Sequence, residues 1–150
     1  MKLLKNQKGM TLVELLAVLV ILGIIAAIAI PMIGNVISNS KDKAILADAQ
    51  SILSAAKLAQ ANGDVTGDGT LTFGDEILQK YLDGIDLADE DQVTYTPPTT
   101  TTSNGTTTKT DGKWEVTYSK LSDLNNSKYS TIKENGKIDS VTLSGYLKSN

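Results

Sequence analysis

From Met10 to Ile33 the chain runs through 24 residues whose only charge is Glu14. The uninterrupted apolar part, Leu15 to Ile33, has 19 residues. As a helix rising about 1.5 Å per residue it is about 28 Å long, close to the roughly 30 Å of a bilayer core. After Pro31 the pattern changes rather than stops. Ile37, Ile45, Ala49, Ile52, Ala56 and Ala59 fall on a helical period, while Lys41, Asp42, Asp48 and Lys57 lie elsewhere. This predicts one helix from about Met10 to Ala61, apolar in its first half, amphipathic in its second and packed there on a sheet. Strand alternation appears later. Trp114 to Tyr118 reads as a strand, with a weaker one at Gln92 to Thr96. Tyr129 to Lys133 and Ile138 to Tyr146, flanking Asn135-Gly136, read as a hairpin. The Thr-rich stretch Pro97 to Thr108 predicts a flexible surface loop, whose hydroxyls are also open to O-linked sugar. The fold class is α+β, a long N-terminal α-helix packed against a small antiparallel β-sheet.

Charge refines the N-terminal reading. Lys2, Lys5 and Lys8 precede the apolar run, so the start is expected in the cytoplasm and the C-terminal part outside. An ordinary secretory signal, cleaved after Ala27-Ile28-Ala29, is the plain alternative. Against it, the apolar run exceeds the usual length of such a signal, and Glu14 sits inside it. A carboxylate at membrane depth costs roughly 2.5–3.5 kcal/mol on insertion scales, which marks Glu14 as functional. Pro31 offers no N–H to the Ala27 carbonyl and Gly34 follows, so the helix is weakened there.

The 150-residue chain has no Cys and no His, and its 14 basic residues are all Lys. Disulfides, thiolate or imidazole metal sites and the commonest general base are therefore excluded. Beyond the first eight residues, 11 Lys face 17 acidic residues, which argues against a basic nucleic-acid-binding face. Nine of those acids lie between Asn62 and Val93.

The octapeptide Lys8-Gly9-Met10-Thr11-Leu12-Val13-Glu14-Leu15 resembles the processing site of type IV prepilins. The resemblance implies cleavage between Gly9 and Met10 by a prepilin peptidase and N-methylation of Met10, with Met in place of the commoner Phe. Glu14 matches the family's assembly glutamate and Pro31 its proline, near which the helix either kinks or unwinds in the filament. It also implies a leader at 1–9, a transmembrane and filament-core helix at 10–34, and a head at 35–150 with an acidic loop at 62–93 and a sheet at about 92–147. Met10 and Glu14 lie four apart, on one helix face. A freed Met10 amine is therefore expected to neutralise Glu14 of its own subunit or of a neighbour. Pairing with a neighbour fixes a register that apolar helices alone do not.

Asp64 to Asp75 has the spacing of a calcium loop. Counting from Asp64, side-chain oxygens fall at the third (Thr66), fifth (Asp68), ninth (Thr72) and twelfth (Asp75) positions, with Gly69 sixth and the Thr70 carbonyl seventh. Hard cations take six to eight such oxygens. The stretch Gly63 to Gly84 resembles one calcium-binding half-repeat of a dockerin, with Thr66 in place of Asn or Asp. One Ca²⁺ is the expected cofactor; a plain Asp/Gly-rich turn is the alternative.

The resemblance implies a major pilin without catalysis of its own. Its partners are copies of itself, the prepilin peptidase and assembly machinery, and the inner membrane before assembly. As precursor it is expected in the cytoplasmic membrane with its head outside, and once assembled in an extracellular pilus. The competing readings are a pseudopilin of a type II secretion or competence DNA-uptake filament and, from another class, a membrane-anchored enzyme. No Ser in a nucleophile elbow supports the last. A sortase-linked pilin is not expected, because Gly145 to Asn150 carries neither a sorting motif nor an apolar segment.

Overall fold

The structure, a computed structural model, describes residues 10–149, which fall into two compact units, one up to Ile37 and one from Ser38 onward. One helix, α1 (Leu12–Asn62), contributes to both. In the first unit it is continuous through Pro31, and its large apolar side chains are exposed along its whole length.

In the second unit α1 buries Ala49, Ile52, Ala56 and Ala59, as the period of the sequence predicts, and also Leu46, Leu53 and Ala55, while Ile45 is half-buried. Ile37, expected on that face, belongs to the first unit and is exposed. The helix ends in a Schellman turn: Gly63 N–H donates to Gln60 O (3.1 Å) and Asp64 N–H to Ala59 O (3.0 Å). Gly63 takes the left-handed conformation this turn requires (φ 79°).

Four strands, β1 (Leu71–Gly74), β2 (Gln92–Thr96), β5 (Lys113–Thr117) and β6 (Lys137–Asp139), form an antiparallel sheet in the order β1-β2-β5-β6. Register aligns Phe73, Val93, Val116 and Ile138 in one row across it, all buried. Because strand side chains alternate, the neighbouring row on the same face is Leu71, Tyr95 and Trp114. These rows share one core with the buried face of α1, where alanines allow close approach. Trp114 closes the rim, its ring centroid 5.9 Å from Phe73 and 4.6 Å from Tyr95.

The C-terminal hairpin expected from Tyr129 to Tyr146 is not what forms. Residues Ser130–Asn135 are helix α3, stopped by Gly136 in the left-handed region (φ 62°). Only Lys137–Asp139 is strand, and Ser140–Lys148 is helix α4. Asp139 decides the switch: its carboxylate accepts the N–H of Val141 and of Thr142, both at 3.0 Å, and the Thr142 hydroxyl at 2.6 Å. That cap outweighs the strand preference of Val141 and Thr142. A short helix α2 (Asp75–Leu78) and a 3-10 turn (Gln79–Tyr81) follow β1.

The Thr-rich stretch is also not an unstructured loop. β3 (Thr99–Ser103) and β4 (Thr106–Thr110) form a separate two-stranded sheet, closed by Asn104 (φ 51°) and Gly105 (φ 77°). Two successive left-handed residues make the turn whose twist matches a hairpin.

Among the described residues of this unit two carboxylates are buried, and both hold backbone. Asp42, from α1, accepts the N–H of Asn125 (2.8 Å) and of Asn126 (2.9 Å). Asp91 accepts the N–H of Ser119 (2.6 Å) and of Ala88 (2.9 Å).

Candidate functional site

The start of α1 carries a reciprocal cap. Thr11 N–H donates to Glu14 Oε2 at 2.8 Å and the Thr11 hydroxyl donates to the same oxygen at 2.9 Å. In return, Glu14 N–H donates to Thr11 Oγ1 at 3.3 Å. Two helix-start donors that lack intrahelical partners are satisfied this way, and the carboxylate lies at the positive end of the helix dipole. Thr11 was not singled out by its spacing to Met10 and Glu14. The signal that finds it is Thr-x-x-Glu before an apolar run. Met10 is exposed, at the same end.

Beyond this cap the helix presents apolar side chains on every side. Leu16, Leu19, Ile24, Ile28 and Met32 all expose more than half of their surface. So large a continuous apolar surface needs lipid or protein around it. The stretch is long and apolar enough to cross a bilayer. Pro31 lies inside the helix, which costs the Ala27 carbonyl its backbone donor.

The acidic loop is arranged differently from a closed cation site. The Asp64 carboxylate accepts the Tyr81 hydroxyl at 2.6 Å, and that hydroxyl accepts from the Asn62 amide at 2.8 Å. Thr66 and Asp68 are exposed, Thr70 directly precedes β1, Thr72 is exposed on β1, and Asp75 opens α2. Among the described residues no three acidic groups gather closely enough to hold a metal ion.

Comparison with known proteins bears on the helix start. The family profile of the prokaryotic N-terminal methylation motif matches residues 4–30. Over 62 residues the chain is 37% identical to the type IV major fimbrial protein FimA of Dichelobacter nodosus. The N-terminal segment is similar to that of a type IV major fimbrial protein. The aligned part is 41% of this chain and spans 40% of that relative's length. No solved structure gives a significant match.

At the matched motif and just beyond it, residues 10–33 sort into distinct parts. Met10 and Glu14 share the helix start and Thr11 orients the carboxylate there, while Pro31 sits six residues before Ile37, the end of the first unit. Gly9 and the expected cleavage after it lie outside the described residues.

Proposed function

We propose that the chain is a structural subunit of a type IV pilus, cut between Gly9 and Met10, methylated on Met10 and polymerised through the first half of α1. One observation carries the proposal: the methylation motif leads into the first half of α1, which up to Ile33 is exposed and apolar on all sides with Glu14 its only charge. In the membrane the Thr11 donors supply the hydrogen bonds that water no longer gives Glu14. On assembly the carboxylate exchanges them for the Met10 amine of a neighbour, an ionic pair that sets axial register in an otherwise apolar bundle. The matched relative is named a major fimbrial protein, which favours a surface fibre over a secretion filament. Mass spectrometry of sheared surface fibres tests the proposal. The dominant species should begin at methylated Met10. A start near Ile30, or absence of the chain from the fibres, overturns it.

We also propose that Asp64 to Asp75 takes one Ca²⁺. The loop's spacing and the position of Asp75 in the first turn of α2 support this. Asp64 has Oδ1 to offer the cation while its Oδ2 accepts the Tyr81 hydroxyl.

A further inference from the structure

On the face of the four-stranded sheet turned away from α1, β5 and β6 set two acids side by side. Register places Glu115 directly opposite Asp139, and alternation keeps both off the buried row of Val116 and Ile138. Like charges in that position weaken a sheet. Asp139 is accounted for as the cap of α4, but Glu115 has no such duty. Its bridges to Lys113 (3.1 Å) and Lys137 (3.7 Å) join well-exposed lysines, and such pairs add little stability.

These four charged residues line a cleft of about 520 Å³ walled by β5, β6, α3 and α4. That size is ordinary for a small-molecule site. Two lysines offset two carboxylates, so the cleft favours neither a cation nor an anion. From α3, Thr131 adds a hydroxyl and Asn135 an amide. Both residues are exposed, and neither side chain has a hydrogen-bond partner among the described residues. Ile132 and Tyr146 supply apolar wall. Tyr146 is held in place: its hydroxyl donates to the Lys128 carbonyl (3.2 Å), and its ring meets that of Tyr129 edge-on at 4.9 Å.

We propose that this cleft binds a neutral saccharide of disaccharide size. A sugar hydroxyl donates and accepts at once, so it matches a rim on which acceptors and donors alternate. Glu115 and the Asn135 amide oxygen accept, while Lys113, Lys137 and the Asn135 amide N–H groups donate. The existing ion pairs leave room for this. Each Glu115 oxygen takes one lysine and keeps a further lone pair, and each ammonium keeps further N–H groups. The C–H face of a pyranose ring is apolar and lies against Tyr146 and Ile132. Because Tyr146 is already fixed, little side-chain freedom is lost on binding. The cleft lies wholly in the second unit, so the binding does not depend on assembly into a fibre.

Saturation-transfer NMR on the full chain, in a detergent without a sugar headgroup, tests the proposal. The probes are cellobiose, maltose, lactose and N,N′-diacetylchitobiose. At least one should receive saturation at millimolar concentration. Glu115→Gln and Asn135→Ala should each weaken that binding about tenfold, as the loss of one polar contact implies. Glu115→Gln also removes the repulsion from Asp139, so it should melt no lower than wild type. A lower melting temperature makes Glu115 a residue of the fold and counts against the site. Asn135→Ala loses no side-chain bond within the chain and should melt with the wild type. No saturation on any of these sugars, wild-type binding by both variants, or displacement of the sugar by sulfate overturns the proposal.

Discussion

Asp42 shows how one residue escapes a periodicity argument. Lys41 and Lys43 beside it are exposed, and its charge alone assigns it to the polar side of α1, yet it is 1% exposed. The buried carboxylate is tolerated because two backbone N–H groups from residues more than 80 positions away point at it. Asp42→Ala leaves both donors without a partner. The expected loss is about 2–4 kcal/mol, measured by denaturant unfolding of a 38–150 fragment; a change below about 0.5 kcal/mol refutes the anchoring role. Thr11 is the second such residue. Thr11→Val keeps its size but removes the hydroxyl from Glu14 while leaving the backbone bond. Cleavage at Gly9 should proceed normally, and fibre yield should fall between wild type and Glu14→Ala. Wild-type yield would show the hydroxyl to be dispensable.

At the scale of elements, capping decided what strand propensity did not. Asp139 converts a Val- and Thr-bearing stretch into α4. Burial works against its charge, but hydrogen bonds from the Thr142 hydroxyl, the Thr142 N–H and the Val141 N–H hold its pKa below the ordinary value. A depressed carboxylate pKa adds stability above the unfolded value of about 3.9, and that stability is lost as pH falls through the folded pKa. Asp139→Ala should therefore cost about 1 kcal/mol at neutral pH and less near pH 2. Equal costs at both pH values would contradict this. The loop after α1 is a separate matter. If Asp64, Asp68 and Asp75 take Ca²⁺ in the folded state, a hundredfold excess over Kd adds about 2.7 kcal/mol. Melts of the 38–150 fragment should then drop clearly with chelator, and Asp68→Ala should abolish the difference. Coincident melts, with no calorimetric heat at millimolar calcium, leave the segment a turn.

For the whole molecule, the proposed filament requires that the apolar half of α1 find a partner other than water, and Glu14 is the group that selects the axial position of that partner. Glu14→Ala should be cleaved and inserted, since an uncharged helix enters a bilayer more readily. It should be largely missing from sheared fibres, and normal fibre yield would remove Glu14 from assembly. Much of this was legible in the sequence. The helix span is local information: an uninterrupted apolar run, then a 3.6-residue period, and the chain forms α1 within two residues of the expected ends. The motif around Met10 and Glu14 is equally local, since residues one turn apart meet by helix geometry alone. β2 and β5 were visible because Val93 and Val116 alternate with polar neighbours. Tertiary structure decided the rest. β1 lay hidden in a loop rich in Asp and Gly, because Leu71 and Phe73 become a strand only when β2 supplies the ladder. The burial of Asp42 depends on donors brought from the other end of the chain. The ribbon of the Thr-rich stretch exists only in the register that the Asn104-Gly105 turn imposes. For β1 and Asp42 the deciding partner is a backbone group distant in sequence, and no pattern read along one segment reports where that group will be.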